Sequence, residues 1–341
     1  MKILSRPDFR VLLFVLLGLP VIGASAALAY ARIKVKPIGT GIVVIDTNLG
    51  YQDGAAAGSG MVLTSSGTVL TNNHVIAGAT TIKVVVPGTG HRYTAQVVGY
   101  DRTADVAVLR LKGASNLKTI SVDTSTPSVG EAVKAVGNAG GTGSLTTAPG
   151  SVIGLNRSIV ASDEQGSSEQ LVGLIETNAA VQPGDSGGPL LTRAGRVIGM
   201  DTAASANSQF AANASDAYAI PIGKALTIAG KIVTGHSSST IHIGATAFLG
   251  IEVESADGYG YGSETSGALV AGVVSNGPAA KAGLGEGDVI TALAGRAITS
   301  PSQISAVILQ KKPGQNIKVA YVDQYGSGYT TTVTLGSGPA Q

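Results

Sequence analysis

From about Val43 to Pro221 the chain is a succession of short apolar, β-branched runs, each ended by Gly, Asn, Asp or Ser. Met61-Val62-Leu63, Thr81-Ile82-Lys83-Val84-Val85-Val86, Ala95-Gln96-Val97-Val98 and Val106-Ala107-Val108-Leu109-Arg110-Leu111 are examples. Period-two spacing and β-branched side chains select strands, because such side chains pack well on a pleated surface and lose rotamer freedom in a helix. Turn signals recur about every ten residues, the rhythm of a barrel or sandwich. The 48 glycines follow no three-residue repeat, so they suit many tight turns and exclude a collagen-like chain. No long amphipathic helix is legible before Pro221. The segment Pro221 to Val233 then spaces Ala225, Leu226, Ala229 and Ile232 at helical intervals, which predicts one closing helix.

At 341 residues the chain exceeds the usual size of a single domain. The β-rich unit is assigned to 38–233. Residues 234–243 read as a linker, since Thr234 to Thr240 are small and polar with little to bury. A smaller α+β unit occupies 244–335, with helix signals at Ala279 to Gly283 and Ser302 to Gln310 and a strand-like piece at Asp288-Val289-Ile290. Residues 336–341 read as a frayed tail.

Before the β-rich unit, Lys2, Arg6 and Arg10 precede an uncharged stretch from Val11 to Ala31. As helix its 21 residues reach roughly 30 Å, the thickness of a bilayer core. The basic flank predicts a cytoplasmic 1–10 and export of the chain downstream. Two fates stay open for 11–31: an uncleaved transmembrane anchor, or a signal peptide cut near the small-residue run that sets Ala27 and Ala29 in an A-x-A arrangement. The chain downstream is thus expected outside the cytoplasm, anchored or secreted. Cysteine is absent, which excludes disulfides, thiolate catalysis and Cys-based zinc sites. The formal net charge is only +2 and no basic block occurs, so a nucleic-acid partner is not expected. His and carboxylates do not cluster at metal spacings, and Gly137 to Ser144 lacks the ending of a phosphate loop. No metal and no organic cofactor is expected.

The chemistry concentrates at Gly184-Asp185-Ser186-Gly187-Gly188-Pro189-Leu190. A serine hydroxyl needs an adjacent base to become a nucleophile. The flanking glycines permit a tight turn in which successive N–H groups point at one spot. Gly184, Asp185 and Ser186 are therefore the candidate oxyanion loop, with the Gly184 and Ser186 amides as donors. Of four histidines, His91 sits in a polar turn and His236 and His242 lie in or beside the linker. His74 ends the apolar run Val69-Leu70-Thr71-Asn72-Asn73-His74 and is the candidate base. The third member is a carboxylate that fixes the imidazole tautomer. Asp105, opening the run Val106 to Leu111, is favoured over Asp101, which sits in the turn Tyr100 to Thr103.

In the order His, Asp, Ser the chain resembles the chymotrypsin-like proteases and, more narrowly, the HtrA (DegP/DegS-like) family of exported serine proteases. The pieces that carry this are Ala57-Gly58-Ser59-Gly60, Thr71-Asn72-Asn73-His74-Val75-Ile76, Asp105-Val106-Ala107-Val108-Leu109, Ala135-Val136-Gly137-Asn138, Thr177-Asn178-Ala179-Ala180, the serine motif, and Tyr218-Ala219-Ile220-Pro221. Phe248-Leu249-Gly250-Ile251 looks like the carboxylate-binding loop of a PDZ module, and Gly277 to Leu284 and Gly287 to Ile290 look like its following helix and strand. Two positions depart from the family's pattern: Asp185 stands where the family usually has Asn, and Asn178 where it often has Asp. In chymotrypsin-like zymogens an Asp before the nucleophile pairs with a freshly cut N-terminus, yet no activation site is legible before the first barrel.

The resemblance implies a mainly β fold: a chymotrypsin-like double β-barrel followed by a small α+β PDZ domain. It implies an endopeptidase whose triad is His74, Asp105 and Ser186, acting through an acyl-enzyme on unfolded or damaged exported proteins. It also implies a PDZ domain that binds C-terminal peptides for delivery or activation, and a homotrimer. The substrate pocket falls on Ala180, Met200, Asp201, Thr202 and Ala203. Ala180 at its base argues against a basic residue at the cut and for a small apolar one. Two other roles fit the same residues: a regulatory protease for one membrane-protein target, or an inactive scaffold or chaperone.

Overall fold

The computed structural model describes residues 39–51, 54–162, 168–202, 217–256 and 266–340. The apolar stretch 11–31 lies outside them. Among the described residues no helix is long and apolar enough to cross a membrane.

Six antiparallel strands form the first barrel: β1 (Ile42–Leu49), β2 (Gly54–Val62), β3 (Thr68–Thr71), β4 (Thr81–Val86), β5 (His91–Asp101) and β6 (Val106–Leu111). They run in the order β5-β4-β1-β2-β3-β6, and β6 returns to pair with β5. The second barrel consists of β7 (Ala132–Gly137), β8 (Thr146–Ser162), β9 (Ser168–Thr177), β10 (Pro189–Thr192), β11 (Val197–Thr202) and β12 (Ala217–Pro221), closed in the order β10-β11-β12-β9-β8-β7. Closure pairs every strand of both barrels on two sides.

Strands such as β3 and β6 read as nearly continuous apolar runs because they serve two cores. On β6, Ala107, Leu109 and Leu111 fill the first barrel with Val43, Ile45, Val69 and Val84. The alternate residues Val106 and Val108 face outward with Ile42, Met61 and Leu70, and meet Val136, Met200 and Ile220 of the second barrel. A strand buried on both faces loses its polar alternation. Helix α1 (Ile222–Val233) closes this shared core by inserting Ile222, Ala225, Ala229 and Ile232, while Leu226, the fourth position read from sequence, is half-buried against it.

The linker is more structured than its composition suggests. Ile241–Ile243 forms β13 and pairs with β5, Ile241 is buried, and Thr240 Oγ1 donates to Asp101 Oδ2 at 3.0 Å. Beyond it lie β14 (Thr246–Phe248), β15 (Ile251–Ser255), β16 (Ala268–Val273), α2 (Pro278–Lys281), β17 (Val289–Leu293), β18 (Arg296–Ala297), α3 (Pro301–Ile308), β19 (Asn316–Val322), β20 (Gly328–Thr334) and β21 (Gly336–Gly338). The main sheet runs β15-β16-β17-β19-β20, so β15 is an edge. Helix α3 buries Ile304, Val307 and Ile308 over its core.

The residues read as a frayed tail are paired instead. Strand β21 binds β14, and Ala340 is buried among first-barrel residues, accepting from the Gly78 N–H at 2.8 Å. Small residues allow this close approach: a Cβ on Gly338 would lie 2.5 Å from the Phe248 side chain.

Candidate active site

His74 lies just after β3, and Asp105 in the turn before β6, strands paired in register from Thr68↔Arg110 to Thr71↔Ala107. The pairing alone therefore brings two residues distant in sequence to one end of the barrel. Asp105 is buried and takes a left-handed φ of 53°, which Asp tolerates better than most residues. Its Oδ2 stands 2.9 Å from His74 Nδ1, and its Oδ1 accepts the His74 backbone N–H at 3.0 Å. Thr202 Oγ1 donates to the same Oδ2 at 3.1 Å, and Asn72 Nδ2 donates to the Asp105 carbonyl at 2.9 Å. The carboxylate is thus held from three sides, while the His74 side chain stays 40% exposed at the mouth of the site. Asp101 is engaged elsewhere: its Oδ1 accepts from Thr103 Oγ1 and the Ala104 N–H, and its Oδ2 from Thr240.

Ser186 sits on the turn that enters β10 and is buried, with 4% exposure. Its carbonyl accepts the Ser59 N–H at 2.8 Å, which fastens the second-barrel loop to β2 of the first. Gly58 shows how close this seam is: a Cβ there would lie 2.6 Å from Val75, the neighbour of His74, and 3.3 Å from the Ser186 carbonyl oxygen. Ser59 Oγ donates to the Gly184 carbonyl at 2.8 Å and accepts the Asn138 N–H at 2.9 Å. Gly187 has a φ of 83°, and a Cβ on it would meet the Ser59 carbonyl oxygen at 2.2 Å, so no other residue fits that turn unchanged.

The candidate oxyanion loop divides by the direction of its amides. The Asp185 N–H donates inward to the Gln182 carbonyl at 3.0 Å, whereas the Gly184 N–H has no acceptor among the described residues. Gly184 reaches this orientation with a φ of 95°. Asp185 turns its carboxyl away from the surface: Oδ2 accepts the Gln182 N–H at 2.9 Å, and burial raises its pKa above the usual carboxylate range.

The residues assigned to a substrate pocket lie in different settings. Ala180 is exposed. Met200 is wholly enclosed in the shared apolar core, Asp201 is wholly enclosed beneath the nucleophile turn, and Thr202 is bound to Asp105. Ala203 lies outside the described residues. Asn178 Oδ1 accepts the Ser151 N–H at 2.7 Å, an acceptor role that an Asp would also fill.

In the smaller domain, Phe248 to Ile251 join β14 to the edge strand β15. Gly250 takes a φ of 79°, its carbonyl accepts the Val274 N–H, and the Leu249 carbonyl accepts the Ala279 N–H. The Phe248 ring stacks on Tyr51 of the β1–β2 turn, with centroids 4.9 Å apart. Sequence reading misses four contributors. Ser59 and Asn72 lie inside quoted motifs, so their positions are visible but not their bonds. Thr202 is placed in the pocket wall by resemblance, and Tyr51 carries no local signal at all.

A family model described as a trypsin-like peptidase domain matches residues 58–200, and a PDZ domain model matches residues 247–324. Serine protease PepD of Mycobacterium tuberculosis is 34% identical over 86% of this chain and 63% of its own length. A probable periplasmic serine endoprotease, DegP-like, of Halomonas elongata is 32% identical over 83% of this chain and 56% of its own length. The chain therefore spans about three-fifths of the curated relatives it matches. A solved structure, the HtrA-type protease AlgW with tripeptide, superposes with a TM-score of 0.50 at 29% identity, covering 87% of this chain and 94% of that one.

Proposed function

Since the chain belongs to the HtrA group, trypsin-like peptidases that carry a C-terminal PDZ domain, we propose that it is a serine endopeptidase working through His74, Asp105 and Ser186. The observation that carries this reading is the 2.9 Å contact between His74 Nδ1 and an Asp105 carboxylate fixed by Thr202 and by the His74 amide. Asp105 accepts a hydrogen bond from the Nδ1–H and so fixes the tautomer whose Nε2 carries a lone pair for the Ser186 hydroxyl. Ser186 Oγ attacks the peptide carbonyl as His74 takes its proton. The oxyanion forms against the Gly184 and Ser186 amides, and loss of one such donor typically costs about 100-fold or more in rate. His74 then protonates the leaving amine, and water hydrolyses the acyl-enzyme in a second, mirrored half.

Unfolded exported proteins are the proposed substrates, with a small apolar residue at the cut, and residues 11–31 direct export. The naming of the Halomonas relative as periplasmic supports that location. C-terminal peptides add a strand to edge β15 with their carboxylate at Phe248 to Ile251; the AlgW structure holds a tripeptide. A fluorophosphonate probe tests the core of this reading. Labelling is expected on Ser186 and is abolished in Ser186→Ala; absence of labelling at any pH, with or without C-terminal peptides, leaves the scaffold reading in its place. Cleavage of casein set beside cleavage of a single membrane-protein target separates quality control from a regulatory role.

A further inference from the structure

Directly beneath the nucleophile turn lies a group that the acyl-transfer reaction does not use. Asp201 is 0% exposed, and neither of its carboxyl oxygens has a hydrogen-bond partner among the described residues. Asp185, itself 3% exposed, has one oxygen in the same condition, Oδ1. Two consecutive backbone bonds join them: the Gly188 N–H donates to the Asp185 carbonyl at 2.8 Å, and the Asp201 N–H donates to the Gly188 carbonyl at 2.7 Å. The Gly187 N–H in turn donates to the Asp201 carbonyl at 2.8 Å. Asp201 is therefore laced to Gly187 and Gly188, just past the nucleophile, and its neighbour Thr202 holds Asp105.

No cation among the described residues answers these carboxyls. Asp185 Oδ1 and Ser59 Oγ both lie within 3 Å of where a Cβ on Gly137 would stand, and Asp201 pairs with the buried Ala219 of β12. Among the described residues, the titratable group whose charge acts on Asp201 is Asp185. Two carboxylates in such a place repel each other and leave three acceptors without donors, which disfavours charging both. One added proton removes the repulsion and supplies the missing donor.

We propose that Asp201 is a positioning residue for the oxyanion loop: its carboxyl stays protonated and donates to Asp185 Oδ1, holding the turn in its working shape. The proton belongs on Asp201 because Asp185 Oδ2 already accepts the Gln182 N–H, an arrangement that suits a charge. Burial and then the Asp185 charge push the Asp201 pKa well above its usual value, in the same direction. When rising pH removes this proton, the two charges drive the Asp185 segment outward and the Gly184 amide loses its aim. This proposal rests on the peptidase reading for its kinetic consequence but not for the protonated pair itself.

Two measurements test it. The first is pH-difference infrared spectroscopy on the folded protein: a protonated carboxylic C=O stretch is expected at neutral pH, absent from Asp201→Asn and retained in Ser186→Ala. Its absence from the wild type overturns the proposal whatever the chain hydrolyses. The second is the pH profile of fluorophosphonate labelling. The wild type is expected to lose rate on the alkaline side with KM for a peptide substrate nearly constant and kcat falling. Asp201→Asn supplies a permanent N–H donor, so its kcat ratio between alkaline and neutral pH should rise at least about tenfold over wild type, the effect of about 1.4 kcal/mol in loop positioning. Superimposable alkaline limbs for the two proteins sink this proposal while leaving the peptidase reading intact. Wild-type protein that is unlabelled at every pH sinks the peptidase reading, and the infrared band then decides the pair alone.

Discussion

Asp105 accepts hydrogen bonds from the His74 amide, His74 Nδ1 and Thr202 Oγ1, so its carboxylate has little freedom to rotate. Asp105→Asn keeps the shape but offers an N–H toward Nδ1 and forces the wrong tautomer. It should lower kcat by about 10⁴ with KM little changed, measured on a chromogenic peptide. Thr202→Val removes one charge-assisted bond, a loss of about 1.5–3 kcal/mol that corresponds to roughly a ten- to hundred-fold drop in kcat. Asp201 makes a separate prediction about stability. Its pKa in the unfolded chain is near the ordinary Asp value of 3.8 and is raised in the fold. Between those two values the native state binds more protons than the unfolded state, so stability falls as pH rises through that window and is fully present below it. Urea unfolding across the acid-to-neutral range should show this decline in the wild type and a flatter profile in Asp201→Asn. A wild-type curve that rises with pH alongside that of the variant would contradict it.

At the scale of elements, legibility tracks the number of residues carrying a pattern. Helix α1 is readable because apolar positions recur at helical intervals, and of the four read from sequence Ala225, Ala229 and Ile232 are buried in the shared core while Leu226 packs half-buried against it. Strand β6 is readable for a similar reason, although its continuous apolar run cannot reveal that alternate residues enter different cores. Strands β13 and β21 are not readable, since each has three residues and shows no period. What makes them strands is the edge each one meets, β5 for the first and β14 for the second. The candidate site divides along the same line. The serine motif is local and visible whole, whereas Ser59 and Thr202 act across the fold and have no local spacing to detect. Two substitutions probe these elements. Ile232→Ala should cost about 2–5 kcal/mol in urea unfolding, because the cavity opens at the junction of both barrels. Gly187→Ala should abolish fluorophosphonate labelling, since its Cβ has no room against the Ser59 carbonyl and its φ of 83° is strained for alanine.

Across the whole molecule, the peptidase and PDZ domains meet through small contacts gathered near one place. Tyr100 Oη lies 3.2 Å from Thr246 Oγ1 at the start of β14, and Phe248 at its end stacks on Tyr51. Strand β21 lies along β14, and Ala340 just beyond it is buried in the first barrel. The Ala340 carbonyl takes the Gly78 N–H, a short way along the chain from His74. The tail therefore links the first barrel to β14, the strand that leads into Phe248 to Ile251. Ala340→Glu places a charge in an apolar, 4%-exposed position against the first-barrel core and should expel the tail from it. Hydrogen exchange should then quicken at Gly78 and along β14, while the amides of β17 and β19 keep their protection. If Gly78 exchanges at the wild-type rate in Ala340→Glu, the docked tail does not exist in solution, and the two domains are held by their other described contacts, among them β13, the Tyr100–Thr246 pair and the Tyr51–Phe248 stack.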